Sequence, residues 1–135
     1  MTHPGHVMAL YDEIGGRATI RAALRAFYPR VLADPVLSPF FLGVDIERLK
    51  QVQEDYFAIA LGAPGPYVGR SLRDAHARAR RRGADAAVFD HFVTVFKGVL
   101  LDLGVPDAKV GEVTTVFENA RDQVLTDKRS RPCRS

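Results

Sequence analysis

The stretch Ser71-Leu72-Arg73-Asp74-Ala75-His76 decides how the sequence is interpreted, because it offers one histidine to the interior of a helical chain. A serine followed three residues later by an acid has the form of a capping box, so the spacing predicts a helix that starts at Leu72. Leu72 and His76 then lie four residues apart, on one helix face. Taken alone, such a histidine is more often an ordinary core or surface residue than a metal ligand.

The composition describes one globular domain without a membrane span. The chain has 135 residues, of which 47% are hydrophobic and 26% are charged, as in ordinary globular proteins. A formal charge of +3 is too small to indicate a nucleic-acid partner. Cys133 is the one cysteine, which excludes an intrachain disulfide and favours a cytoplasmic location. We see neither an apolar run of membrane-spanning length nor a secretory signal.

Apolar periodicity predicts an all-helical fold. A short helix is expected before Gly15-Gly16, which stop it and let the next begin at an angle. Asp45 is expected to cap a helix that ends near Gly62, and Pro106 to open the last helix. The other two helices are expected at residues 17–32 and 86–103, with Leu103 on the inner side of the latter. Residues 1–126 are predicted to form the domain and 127–135 a disordered basic tail.

Two polar features interrupt this pattern. Gln53 lies on the apolar stripe of the third helix, where an amide costs free energy unless it is partnered. It either satisfies a buried backbone group, faces a cavity that holds something polar, or marks a stripe drawn one residue too wide. The arginine-rich run at residues 78–82 is expected to be a solvated, mobile turn, with a site for an acidic partner as the less favoured interpretation.

Eight phenylalanines and four tyrosines are distributed over these helices and their loops. Four helices so rich in aromatic side chains can enclose a flat apolar group. The histidine helix is short and follows a loop rich in glycine and proline, residues 62–69, so packing alone specifies its position weakly. A bound ligand would help to fix it.

Several short motifs, in this order and spacing, resemble those of group I truncated haemoglobins. The resemblance covers about residues 10–125, nearly the whole globular part. The motifs are Tyr11-Asp12-Glu13-Ile14-Gly15-Gly16, Phe27-Tyr28-Pro29-Arg30-Val31-Leu32-Ala33-Asp34, Pro39-Phe40-Phe41, Arg48-Leu49-Lys50, Ala60-Leu61-Gly62, Pro66-Tyr67-Val68-Gly69 and Ala75-His76. Two departures stand out: Ala63 replaces a glycine of the family, and the segment after His76 is about three residues longer.

The resemblance implies a two-over-two helical sandwich around a haem b. His76 matches the iron ligand, and Tyr28 and Gln53 match the distal pair that donates hydrogen bonds to bound oxygen. A carbonyl near Leu72 is expected to hold the second imidazole nitrogen. The other residues expected to contact haem, line its pocket or pair with its propionates are Phe41, Leu49, Lys50, Tyr56, Phe57, Tyr67, Arg70, Arg73, Phe89 and Phe92.

The resemblance also implies a function in gas chemistry. We expect a protein that binds dioxygen, with nitric oxide or carbon monoxide as further ligands. Reaction of bound oxygen with nitric oxide to give nitrate would need a separate reductase, since the chain has no flavin or nicotinamide motif. One alternative is a gas or redox sensor that signals through the arginine-rich run. Another is a helical interaction module without a cofactor, in which His76 and Gln53 are satisfied core residues.

Overall fold

The computed structural model describes residues 9–65 and 71–126, apart from the side chain of Leu72. These residues form helices and loops without a strand, which confirms the predicted all-α class. The elements are α1 (Leu10–Glu13), α2 (Gly16–Ala33), a 3₁₀ turn (Ser38–Phe41), α3 (Ile46–Ala60), α4 (Leu72–Ala75), α5 (Ala77–Arg81), α6 (Ala86–Asp102) and α7 (Asp107–Leu125).

The predicted helix starts and stops follow local chemistry. Gly15 has a φ of +113°, and a Cβ added there would lie 2.1 Å from Thr19 Oγ1, so only glycine is tolerated at the α1–α2 corner. Asp45 caps α3 by accepting from the backbone N–H of Arg48 at 3.2 Å. Ser71 Oγ accepts from the backbone N–H of Asp74 at 3.1 Å, which confirms the predicted start of α4.

The long helices pack as two layers. Helix α2 packs against both α3 and α6, and α6 packs against α7, while the short α4 lies against α7. The centre is aromatic: the fully buried ring of Phe27 meets the rings of Tyr28, Phe92 and Phe96 edge to face, with centroids 4.9–5.1 Å apart. Edge-to-face pairs add to the stabilisation that burial provides. This core fixes α2 and α3, the two helices that carry Tyr28 and Gln53.

Two details differ from the prediction. Leu103 was expected on the inner side of its helix, but it is 43% exposed because α6 ends at Asp102 and the chain turns at Gly104. Val93 takes a buried position instead, at 8% exposure. Helix α2 contains Pro29 and ends at Ala33, one residue beyond the predicted end at residue 32. In the described ranges, no helix combines the length and the apolar character needed to cross a membrane.

Candidate functional site

A buried phenol and an amide meet across the α2–α3 interface. The hydroxyl of Tyr28, whose side chain is 1% exposed, donates a hydrogen bond to Gln53 Oε1. Burial raises the pKa of Tyr28, and the hydrogen bond to Gln53 only partly offsets this. The phenol therefore stays protonated at neutral pH and remains a donor. Gln53, half-buried, thus finds a side-chain partner, an outcome that differs from the backbone partner considered from sequence.

Tyr28 and Gln53 together have hydrogen-bond donors that their mutual hydrogen bond does not use. With the amide oxygen engaged by Tyr28, both N–H groups of Gln53 remain for another acceptor. Rotating the amide by 180° would instead use one N–H toward the phenol oxygen and release the hydroxyl proton. In either orientation the pair keeps a donor for a small polar molecule between α2 and α3.

Aromatic and aliphatic side chains surround this pair. The ring of Phe41, on the 3₁₀ turn, lies edge-on to that of Tyr28 with centroids 5.6 Å apart. Leu49, one turn before Gln53 on α3, is half-buried and packs against the core. Phe57 is 7% exposed and meets the rings of Tyr56, Phe96 and Phe117 at 5.5–5.6 Å. Apolar side chains thus flank the pair: Phe27 and Phe41 contact the Tyr28 ring, and Leu49 and Phe57 lie one turn before and one turn after Gln53 on α3.

Phe89 makes one contact that was not predicted, and its expected contact with haem stays a prediction. It is buried, and the guanidinium carbon of Arg121 lies 4.8 Å from its ring centroid. Arg121 is held there by ion pairs with Asp90 and Glu118. A cation over a ring face stabilises this packing of α7 on α6, so one face of Phe89 is already covered.

His76 lies at a break between two short helices. Helix α4 ends at Ala75 and α5 begins at Ala77, and His76 has a φ of −104° and a ψ of 8°. Its side chain is half-buried. The backbone of His76 therefore joins two separate short helices.

Two of the cations expected near propionates have other partners. Lys50 Nζ pairs with Glu47 Oε2 at 2.9 Å on the same helix. Arg73 Nη1 donates to the carbonyl of Thr126 at 3.0 Å. Their role toward propionates stays a prediction. Tyr67 and Arg70 lie outside the described residues, as does the side chain of Leu72.

The arginine-rich run is helical and not the turn that we expected, although Arg78, Arg81 and Arg82 are exposed as predicted. Residues 78–81 lie in α5 and Arg82 follows its end. The guanidinium groups of Arg78, Arg80 and Arg82 donate to main-chain carbonyls elsewhere in the fold. The sequence showed a run of like charges, which is typical of a solvated face. These arginines donate to carbonyls at helix ends and turns, which lack partners within their own helix. No local sequence pattern indicated that these carbonyls would lie close to the arginines.

Two further contacts near the site were missed from sequence. Asp34 Oδ2 pairs with His91 Nε2 at 2.6 Å, while its Oδ1 accepts from the backbone N–H of Val36 at 2.8 Å. Asp34 precedes Pro35, a pair typical of a helix start, but nothing in the local sequence indicates a partner on α6. Glu54, next to Gln53, accepts from both Arg17 and Arg21 on α2 at 2.9–3.1 Å. The spacing of these arginines, four apart on one helix, was the available signal.

Comparison with known proteins assigns the chain to a family. The model of the bacterial-like globin family matches residues 9–126. The chain belongs to this family. It is 35% identical over 118 residues to the group 1 truncated haemoglobin GlbN of Mycolicibacterium paratuberculosis, covering 87% of this chain and 85% of the relative. It is 31% identical to a group 1 truncated haemoglobin of Tetrahymena thermophila, covering 86% and 93%.

Solved structures of truncated haemoglobins have the same fold. The 2/2 haemoglobin of Synechococcus, solved in the cyanomet state with covalently attached haem, superimposes with a TM-score of 0.83 at 32% identity, covering 87% of this chain and 98% of that one. The truncated haemoglobin of Tetrahymena pyriformis in its Fe(III) form gives a TM-score of 0.81 at 30% identity, with the same coverage. The two-over-two globin fold predicted from sequence is confirmed.

The cofactor of this truncated haemoglobin is a haem with iron, as its family and haem-bound structural neighbours establish. The residues present fit that group. A half-buried imidazole lies at a helix junction, and the buried phenol of Tyr28 is bonded to the half-buried amide of Gln53 among apolar side chains. Several apolar side chains expected to be buried retain exposed surface of the kind that a flat macrocycle covers, namely Phe41, Leu49, Val88 and Phe92. Globins of this family bind small gas molecules at such a site.

Proposed function

We propose that this truncated haemoglobin binds dioxygen and uses it to convert nitric oxide to nitrate. One observation supports the proposal above the others: the Tyr28 hydroxyl and the Gln53 amide are joined among apolar side chains. A site for an uncharged, apolar gas alone would gain nothing from a buried phenol joined to a half-buried amide. Donors are useful where the bound molecule accumulates negative charge.

His76 is the proposed ligand of the haem iron. A neutral imidazole offers one nitrogen lone pair to a metal, while its other nitrogen carries a proton that a neighbour can hold. The haem, when bound, supplies a ferrous iron that shares electron density with a diatomic gas. Phe41 and Leu49 are proposed to contact the macrocycle, and Lys50 to face a propionate.

Tyr28 and Gln53 are proposed to retain dioxygen in the pocket. The phenol fixes the amide of Gln53, whose N–H groups then point toward an acceptor without further ordering. Because the pKa of Tyr28 is raised by burial, the phenol donates a hydrogen bond without giving up its proton. Each hydrogen bond from the pair to dioxygen contributes about 1–3 kcal/mol in a desolvated site. This corresponds to roughly a tenfold to hundredfold slower loss of dioxygen.

The proposed reaction consumes one electron. Nitric oxide, dioxygen and one electron give one nitrate ion, so two new nitrogen–oxygen bonds form and the oxygen–oxygen bond breaks. The electron must return the iron to the ferrous state after each turnover. An external reductase is the proposed donor.

The reaction is tested by adding nitric oxide to the reduced, oxygenated protein in less than equimolar amount. The expected result is one nitrate per nitric oxide, with an equal amount of protein converted to the ferric state. A variant with Tyr28→Phe and Gln53→Leu should lose dioxygen before it reacts and give less nitrate. Nitric oxide that persists without nitrate formation would contradict the proposal and favour the gas sensor.

A further inference from the structure

Gas binding alone does not explain the hydrogen bonds made by the segment that contains His76. We call residues 73–82 the arginine segment. It holds His76 at the break between α4 and α5, with Arg73 three residues before it and Arg80 four residues after it. The other arginines of this segment that donate to main-chain carbonyls are Arg78 and Arg82.

The first anchor of the arginine segment is the end of α7. Arg80 Nη1 donates to the carbonyl of Val124 at 2.9 Å, and its Nη2 donates to the carbonyl of Arg73 at 2.7 Å. Arg73 in turn donates to the carbonyl of Thr126 at 3.0 Å. Val124 lies in the last turn of α7, where carbonyls lack intrahelical partners and carry the negative end of the helix dipole. One half-buried guanidinium thus joins α7 to the helix that precedes His76.

The second anchor is the 3₁₀ turn that carries Phe41. Arg78 Nη2 donates to the carbonyl of Leu42 at 3.2 Å, and Arg82 Nη1 donates to the carbonyl of Pro39 at 3.2 Å. These carbonyls lie on either side of Phe41 in the chain. The contacts are exposed, so each is weaker than the half-buried bonds of Arg80.

Together the two anchors determine where the break at His76 lies relative to the rest of the pocket. We propose that the arginine segment is a positioning device, in which Arg80 above all, with Arg78 and Arg82, sets the placement of His76 against α7 and Phe41. The inference rests on the proposed function in one respect, that His76 ligates the haem iron. It predicts that these arginines influence the iron–histidine bond although none of them is a ligand.

The geometry distinguishes positioning from charge alone. A planar guanidinium serves two carbonyls in a fixed fork, whereas a lysine ammonium is a single point charge on a flexible stem. Arg80→Lys therefore keeps the charge and loses the fork, and Arg80→Gln loses both. Arg81 is the matched control, because it lies on the same helix, is exposed and donates to none of these carbonyls.

The test measures two properties of the haem-loaded protein. Resonance Raman spectroscopy of the ferrous, gas-free form reports the iron–histidine stretching band, and transfer of ferric haem to excess apomyoglobin reports the rate of haem loss. We expect Arg80→Gln to shift the band and to speed haem loss about tenfold, as the loss of a charged hydrogen bond near the ligand implies. Arg80→Lys should show the same band shift with a smaller rate change, and Arg81→Gln should match the wild type.

A double variant tests the second anchor. Arg78→Gln with Arg82→Gln replaces two exposed side chains, so folding should be retained, and we expect about threefold faster haem loss, less than for Arg80→Gln. If Arg80→Gln does not fold, Arg80→Lys and this double variant decide the question. An unchanged band and rate in all of these variants would overturn the proposal. The band should vanish in His76→Gly, and its persistence there would refute the proposed ligand, a result distinguishable from a failure of the arginines.

Discussion

The Tyr28 hydroxyl on α2 donates a hydrogen bond to the Gln53 amide oxygen on α3. Because each side chain orients the other, their effects on gas retention should not be additive. We expect Tyr28→Phe to raise the rate of dioxygen dissociation by about tenfold to a hundredfold, which corresponds to roughly 1–3 kcal/mol. Gln53→Leu should then change the dioxygen dissociation rate by a smaller factor in the Tyr28→Phe variant than in the wild type. Stopped-flow displacement of dioxygen measures all four proteins, and two independent, multiplicative effects would argue against a coupled pair.

Burial of Tyr28 should make the protein sensitive to alkali. The ordinary pKa of a tyrosine is 10.0, and burial raises the pKa of Tyr28 in the folded state. The unfolded chain therefore releases this proton first as the pH rises. The stability that the neutral phenol contributes is fully present below pH 10.0 and is lost as the pH rises toward the folded-state pKa. Urea unfolding at increasing pH should show a steeper alkaline loss for the wild type than for Tyr28→Phe; parallel curves would contradict the buried phenol.

The ion-pair cluster around Glu54 should help to hold α3 against α2. Glu54 is 15% exposed and pairs with Arg17 and Arg21, so its pKa is lowered, chiefly by the hydrogen bond from Arg21. The arginines are more exposed, and solvent screens the pairs. We expect Glu54→Gln to lower the free energy of unfolding by about 1 kcal/mol at low salt. The difference should shrink at about 1 M salt, where the Debye length is about 3 Å.

Asp55→Asn is the matched control for that cluster. Among the residues that the structure describes, its carboxylate pairs only with Arg17, and its side chain is 66% exposed, so its loss should have the smaller effect. Urea unfolding at two salt concentrations compares the variants. A salt-independent effect of Glu54→Gln would show that packing, and not charge, holds the two helices together there.

The contact between Asp34 and His91 should add stability that acid removes. The hydrogen bond from His91 lowers the pKa of Asp34, and the backbone N–H groups of Val36 and Leu37 act in the same direction. A lowered pKa gives stability that is present above the unfolded-state value and is lost as the pH falls through the folded-state value. Asp34→Asn keeps a capping oxygen but removes the charge. Its melting temperature should be lower than that of the wild type at neutral pH and should converge with it below about pH 4.

Equal melting-temperature differences at neutral and acidic pH would contradict that account. His91→Gln serves as the second half of the comparison, because it removes the partner and leaves the cap on Val36 and Leu37 in place.

The sequence was sufficient for the features that depend on local chemistry. Apolar periodicity, the Asp45 and Ser71 caps and the glycine pair at Gly15 each determine structure within a few residues, and all were predicted. The pairing of Tyr28 with Gln53 was anticipated only as a shared role toward a ligand. That their side chains bond to each other depends on how α2 crosses α3, which no single helix pattern contains.

The contacts of the arginine segment show the opposite case. Its charges predicted solvent exposure, which is correct for Arg78, Arg81 and Arg82. The half-buried Arg80 instead donates to a carbonyl 44 residues away in the chain. Every helix has carbonyls without intrahelical partners at its C-terminal end, whatever its sequence. The side chains of α7 therefore do not indicate that its carbonyls will accept from Arg80. Long-range contacts of this kind depend on the packing of α4 against α7, which sequence periodicity leaves open.

The absorption spectrum of the haem-loaded protein, recorded for the wild type and for His76→Gly with and without added imidazole, tests the central claim most directly. We predict a Soret band in the wild type, a shifted or collapsed band in His76→Gly, and recovery of the wild-type spectrum when imidazole occupies the vacated position. A wild-type spectrum that persists in His76→Gly without imidazole would contradict His76 as the iron ligand.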